Sequence, residues 1–345
     1  MPTNIESGNA LTSKLWALEN EKLFRDAMKQ SYFLPRFGST DKNSVVYIKN
    51  ELEKESGDRI TFGIRMRLTG SGVGPGQTLE GNEEQLTLHN YSLNLTRRRH
   101  AVRVERGLTE QRIKTQLEPE AKMAIQDWMA EYIDDKLFEA LRSTPTVVWY
   151  NNNGAPTKGA SASAVKSDIN SAQDKVTPKL LSAIRTWAIT GGNRSQVPIR
   201  PIMVDGRKTY IFLAHPDVIY DLKNDSTYAQ AQREAADRGK NNPIFTGAVG
   251  VWDNVVVHEH ENILIGADAG SGSDQPYAEC SLLGAQSLCF AFGKRKNQIV
   301  TQEFDYKEEV GYSIGLNYGA GKPVFNGKDY GSIGVYVGRT QISDL

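Results

Sequence analysis

Cysteine is scarce: Cys280 and Cys289 are the two in 345 residues. Disulfide scaffolds concentrate many more in far shorter chains, so both are expected as reduced, packed thiols. Long apolar runs are missing too. None approaches the ~20 residues needed to cross a bilayer. The opening MPTNIESGNALTSKLW has no basic start followed by an apolar run, so no signal peptide is expected. On both observations the chain is expected in a cytoplasm, away from membranes. Net charge is also absent. Lys+Arg and Asp+Glu each number 41, which denies the chain the electropositive field of a dedicated DNA-binding protein. Neutrality does little to hold copies apart, so association is tolerated or intended.

Recognisable chemistry is equally thin. No Gly-x-Ser-x-Gly elbow is present, and five histidines and two cysteines offer few pairings of nucleophile and base. The glycine-rich run from Gly70 to Gly81 lacks the Lys-Ser/Thr and the following helix of a phosphate loop, because Pro75 and Leu79 lead into a strand. The His258–Glu261 stretch HEHE puts two imidazoles on one face of a strand, but a metal site needs three or four ligands and no third has helpful spacing. A solvated or interface strand is expected there. Arg97, Arg98 and Arg99 could grip nucleic acid, yet no aromatics are interleaved for stacking. Salt bridges within or between copies are favoured, with Glu83 and Glu84 among the partners. No catalytic residue, metal or cofactor is assigned.

What the chain does have is pattern. Residues 1–13 read as a mobile polar arm and 14–31 as a helix stopped by Pro35 and Gly38. Ile60, Phe62, Ile64, Met66 and Leu68 alternate with Thr61, Gly63, Arg65 and Arg67, the period of a half-buried strand of ~30 Å. The returning arm has Leu86 and Leu88, then Tyr91, Leu93 and Leu95 one position out of phase, which predicts a bulge near Asn90. Residues 60–95 therefore form a long hairpin with a soft glycine tip, continued by the basic strand Arg97–Gly107.

A helix of about 25 residues follows, near 37 Å long. Its apolar stripe is Ala121, Ile125, Trp128, Met129, Tyr132, Leu137 and Leu141, with the acids Asp127, Glu131, Asp134, Asp135 and Glu139 mostly elsewhere. From Glu118 to Arg142 there are seven acids and three bases, whereas Arg97–Arg106 has five arginines and one glutamate. An acidic rod beside a basic strand suggests electrostatic complementarity, within a copy or between copies. Further on come a short helix near 163–174, a helix opened by Thr177-Pro178, a hairpin around 202–214, helices near 216–223 and 226–238, a strand around Val255–Val257 and 60 β-rich residues. Separated helices and mostly antiparallel strands make an α+β fold.

A lone two-stranded hairpin this long is marginal in water, so its apolar face needs a surface, either its own domain's or a neighbour's. A soft tip lets such an arm dock on several slightly different neighbours. At this point the residues meet a known family. KLFRDAMKQSYFLPRFG, LTGSGVGPGQTLEGNEEQL, RRRHAVRVERG, AIQDWMAEYIDDKLFEAL, TGAVGVWDNVVVHEH and FNGKDYGSIGVYV, in that order, resemble the major capsid proteins of tailed bacteriophages, in the branch related to the coat proteins of N4-like phages.

The resemblance implies the Hong Kong phage capsid fold. Residues 1–57 would be an N-terminal arm with a helix, 58–100 the extended loop, 101–176 the peripheral domain with its long spine helix, 177–280 the axial domain, and 281–345 strands returning to the peripheral and axial sheets. It also implies a structural protein, not an enzyme. The chain would self-assemble as pentamers and hexamers into an icosahedral virion shell, built in the host bacterial cytoplasm and enclosing double-stranded DNA held non-specifically. Portal, scaffolding and optional decoration proteins would be its partners. Scaffolding would be a separate chain, and closure would be non-covalent. The expected inter-subunit contacts are Gly72, Gly74, Pro75, Glu83, Glu84, Arg97, Arg98 and Arg99. Two other classes compete: an α+β enzyme using the Gly70–Gly81 loop as a lid over a small-molecule site, and a nucleic-acid-binding module centred on Arg97–Arg99.

Overall fold

The computed structural model describes residues 30–50, 57–65, 68, 72–76, 78–105, 117–192, 198–204, 206–235, 249–293 and 300–341. The expected arm at 1–13, nearly all of the helix expected over 14–31, residues 236–238 of the last expected helix, and Met66, Arg67, Gly70 and Ser71 of the hairpin lie outside them.

A five-residue helix, α1 (Phe33–Phe37), leads into β1 (Gly38–Ser39) and β2 (Val46–Lys49). The hairpin arms are β3 (Arg59–Arg65) and β4 (Leu88–Asn94), paired antiparallel in unbroken register from Arg59↔Asn94 to Arg65↔Leu88. The bulge expected near Asn90 is therefore not formed. The phase change has another cause: Leu86 precedes the strand and Leu88 points to solvent, while Leu93 faces the core. β5 (Thr96–Glu105) follows at once but enters a different sheet.

The long helix, α2 (Leu117–Leu141), has Pro119 in its first turn, where a missing N–H costs nothing. Ala121, Ile125, Met129, Leu137 and Leu141 are buried as the stripe required, joined by Ile133 and Phe138. Asp134 does not fall with the exposed acids. It is buried and accepts from Ser31 Oγ at 2.6 Å, Tyr32 N at 2.6 Å and Phe33 N at 3.2 Å, so it holds the chain entering α1 against α2. The carboxylate supplies the acceptors that the free N–H groups of a helix start need.

Next come β6 (Val148–Asn152), β7 (Ala155–Gly159), α3 (Ala162–Asp168) and α4 (Pro178–Thr190). α3 stops short of the expected 174 because Asp174 turns its carboxylate on Asn153 N and Asn170 N, both at 2.7 Å, and stabilises a turn in place of another helical turn. α4 begins with the Thr177 side chain capping Leu180 N and ends at Gly191, whose φ of 62° suits a residue without Cβ. Then follow β8 (Ile202–Val204), β9 (Arg207–Ala214), α5 (Pro216–Asn224), α6 (Ser226–Ala235), β10 (Gly250–Trp252), β11 (Val255–Glu259), β12 (Ile265–Ala269) and β13 (Gln275–Leu283). The chain closes with β14 (Leu288–Phe292), β15 (Val300–Phe304), β16 (Glu309–Gly321), the small hairpin β17 (Val324–Phe325) and β18 (Lys328–Asp329), and β19 (Ser332–Gly338).

Two sheets organise these strands. The first runs β1-β2-β14-β16-β15, with β5 on the other side of β16. The second runs β10-β11-β9-β13-β19-β6-β7, with β12 on β13 and β8 on β9. Most pairs are antiparallel, while β1–β2, β2–β14, β9–β11 and β6–β19 are parallel, so the fold is α+β and not doubly wound. α2 lies on the first sheet, burying Ile125, Met129, Ile133 and Leu137 among Phe290, Tyr312, Ile314 and Leu316. Each such side chain contributes roughly 1.5–3 kcal/mol. α4 and α5 cover the second sheet through Leu180, Leu181, Ile184, Val218 and Leu222.

Candidate functional site

The hairpin is divided between two environments. At its root, Ile60, Phe62 and Leu93 pack with Cys289 and Ala291 of β14, and Tyr47 meets Phe62 edge-on at 5.6 Å. The chain's own first sheet therefore supplies the cover for this half. Beyond the root, Leu68, Leu79, Leu86 and Leu88 are each more than half exposed. Gly72 and Gly76 sit at φ 72° and 91°, a conformation that L side chains rarely adopt. Added Cβ atoms at Gly72, Gly74 and Gly76 would meet nothing within 4 Å. A lid packs side chains on what it closes, and side chains at these positions would find open space. Pro75 is exposed beside them, and Glu83 accepts from Gly81 N at 2.8 Å, stiffening the return of the tip. Glu84 is exposed next to it.

Arg97, Arg98 and Arg99 are exposed on β5, and alternation splits them between its two faces. On the helix side, Arg98 Nε donates to Tyr132 Oη at 3.0 Å, and that phenol lies 2.6 Å from Tyr318 Oη. Burial first, and then the Tyr132 hydroxyl, push the Tyr318 phenol up to about 12. His100 covers Trp128 at 4.5 Å, and Trp128 stacks on Tyr132 at 5.2 Å. The expected complementarity of acidic rod and basic strand is thus replaced, within the chain, by an aromatic ladder. Asp127, Glu131, Asp135 and Glu139 are exposed on α2, while the strand's inner face meets Trp128 and Tyr132. The physical reason is helical geometry, since residues four apart share a face and that face points away from the sheet. On the strand's other face, Arg99 lies over Gly315, and Arg103 ion-pairs Glu309 while covering the Phe304 ring at 4.4 Å.

The HEHE stretch is not a solvated strand. His258 is 7% exposed and its ring meets Phe37 at 5.2 Å, and His260 lies between Tyr32 at 4.4 Å and Phe138 at 4.6 Å. The two imidazoles do share a side, but it is an aromatic pocket built by α1 and α2. Burial, with Arg36 assisting, pushes His258 down to about 4. Among the described residues no three His, Cys, Asp or Glu side chains group as metal ligands. Cys280 and Cys289 are free and buried.

The surfaces that remain are an uncovered arm and a basic edge strand, features of a chain built to contact other chains. Residues 4–338 match the family described as phage capsid protein. The chain belongs to the phage capsid protein family. This capsid protein is 29% identical to the major capsid protein of Pseudomonas phage KPP25, with 94% of each chain covered. Its fold is similar to the capsid of Ralstonia phage GP4 (TM-score 0.80, 24% identity, 90% of this chain and 92% of that one). The capsid of cyanophage Pam1 follows with a TM-score of 0.74, 21% identity and coverage of 90% and 93%. The capsid of Helicobacter pylori bacteriophage KHP30 matches with a TM-score of 0.68, 17% identity and coverage of 89% and 91%. The fold is the Hong Kong phage capsid fold that the sequence resemblance implied. These relatives support the tailed-phage family and leave the N4-like branch an expectation.

Sequence reasoning missed two features. Tyr306, at the turn between β15 and β16, is fully exposed. Lys322 and Asp329 form a buried ion pair. Neither had a signal in the sequence: one is a single aromatic in a charged stretch, the other a pair of charges in a glycine-rich tail.

Proposed function

We propose that this capsid protein is the major building block of an icosahedral virion shell, assembling as pentamers and hexamers around double-stranded DNA. The observation that carries the reading is the hairpin with a covered root and uncovered leucines beyond it. Apolar surface left in water by one copy is removed from it by a neighbour, at about 25 cal/mol per Å². In this reading the hairpin is the extended loop and α2 with the first sheet is the peripheral domain. The body around the second sheet is the axial domain, taking in β6, β7 and β19.

The chain acts as a structural protein and not an enzyme. It is assembled in the host cytoplasm with a portal and a separate scaffolding protein, and decoration proteins reinforce it where they occur. Neutrality suits a container that holds DNA without gripping it. The lid reading is disfavoured by the open space around Gly72, Gly74 and Gly76. The test is electron microscopy with light scattering on the full chain, alone and with the phage's scaffolding protein. Closed particles, or free pentamers and hexamers, are expected. A chain that stays monomeric under both conditions overturns the reading.

A further inference from the structure

Tyr306 stands in open solvent with a relative exposure of 102%, at φ 51° and ψ 32°. Asp305 before it has φ 45°. Two successive left-handed residues without a glycine are unfavourable, and more so when one is a bulky aromatic. The base of the turn is held firmly. Phe304 pairs with Glu309, Glu308 N donates to Asp305 O at 2.9 Å, and Arg103 joins Glu309 to the Phe304 ring. The chain thus fixes an aromatic side chain in water, in a conformation that glycine or asparagine would adopt more easily. Nothing in the fold of one copy is gained by it. Preorganised exposed tyrosines are the residues that interfaces use as anchors, because little ordering remains to be lost on docking.

Charge points to the occupant. Residues 303–309, EFDYKEE, carry four acids and one lysine. β5 carries four arginines and one glutamate. Glu309 already meets Glu105 and Arg103 within the chain, but the Tyr306 turn lies at that end of β16, whereas Arg97 and Arg99 pair with Asn317 and Gly315 toward the other end, so these groups do not meet within one chain. Between two copies they can. Arg98 and Arg103 are already engaged inside the chain, which leaves Arg97 and Arg99 on the face turned from the long helix.

We propose that the Tyr306 turn of one copy docks head to tail on the arginine-bearing edge of β5 in a second copy, with Asp305 and Glu308 facing Arg97 and Arg99. Such a contact uses different patches on the two copies, so it repeats around an axis and closes when the rotation fits. The proposal rests on the shell reading and names one joint of that shell.

The test uses full chains expressed with the phage's scaffolding protein. Tyr306→Gly removes the side chain but suits the left-handed turn, so thermal unfolding should match or exceed that of the wild type. The yield of closed particles should fall at least tenfold. Arg99→Glu and Glu308→Arg should each lower the yield, and together they should restore at least half of it. Normal particles from Tyr306→Gly overturn the proposal alone. A double variant no better than its singles overturns the pairing with β5. A wild-type chain that forms no particles overturns the shell reading, and this joint with it.

Discussion

The Lys322 ammonium lies 3.1 Å from Asp329 Oδ2, and both side chains are almost wholly enclosed. Lys322 also donates to the carbonyls of Ser143 at 2.9 Å and Thr144 at 3.2 Å, and the same carboxylate oxygen accepts from Thr146 N at 2.7 Å. The pair therefore fastens the segment leaving α2 to the β17–β18 hairpin. Removing one partner strands a buried charge, which costs about 3–5 kcal/mol. Lys322→Met and Asp329→Ala should each lower the urea midpoint sharply. The Lys322→Met/Asp329→Leu double variant should lose less than the two singles combined. A loss of unfolding free energy below about 1 kcal/mol in either single would show that the site opens to water.

Acid should destabilise the folded chain through His258. Burial lowers its folded pKa from 6.5 to about 4. The unfolded chain then binds the proton first, so the contribution is fully present above about pH 6.5 and is lost as pH falls toward 4. The amount at stake is on the order of 3 kcal/mol. His215 and His260 are shifted the same way by burial, so His258→Phe should flatten the pH dependence without abolishing it. Urea titrations at pH 7, 5.5 and 4.5 would measure the slopes. Equal slopes in the two proteins would refute the assignment.

The distal hairpin should be dispensable for folding and needed for assembly. Deleting Gly70–Gly76 removes a stretch in which Cβ atoms added at Gly72, Gly74 and Gly76 would meet nothing within 4 Å. Circular dichroism and thermal midpoint should stay within experimental scatter, while particle yield drops severely. Normal particles from the deletion would sink the extended-loop assignment.

Both cysteines should be silent toward thiol reagents until the chain unfolds. Burial pushes the Cys280 thiol up to about 12 and raises Cys289 as well, so almost no thiolate exists at pH 8. Ellman titration should count no thiols in the native chain and two in 6 M guanidinium. Rapid labelling of Cys289 in native protein would mean that the hairpin root, Phe62 and Leu93, lifts from β14.

Much of the fold was legible because local rules and tertiary packing agree. The Thr177-Pro178 start and Gly191 stop of α4, the stripe on α2 and the alternation in β3 are short-range signals, and each is used as read. The misreadings share one cause. Asp134, His258 and Asp174 are polar residues that look solvent-facing in sequence, yet each finds partners brought close by distant segments or tight turns. Leu88 gave the opposite error, an apolar residue left in water where alternation alone implied a bulge.

By itself, the sequence determined the α+β class, the hairpin with its glycine tip, the long helix and the family, since all of these rest on periodicity, turn residues and ordered motifs. Only the tertiary structure decided where the hairpin's own cover ends. It also turned Arg98 toward Tyr132 and His100 toward Trp128, enclosed Lys322 with Asp329, and left Tyr306 exposed in solvent. Those outcomes depend on which strands become neighbours, and pairing across more than two hundred residues, as between Thr96 and Tyr318, leaves no local trace in the chain.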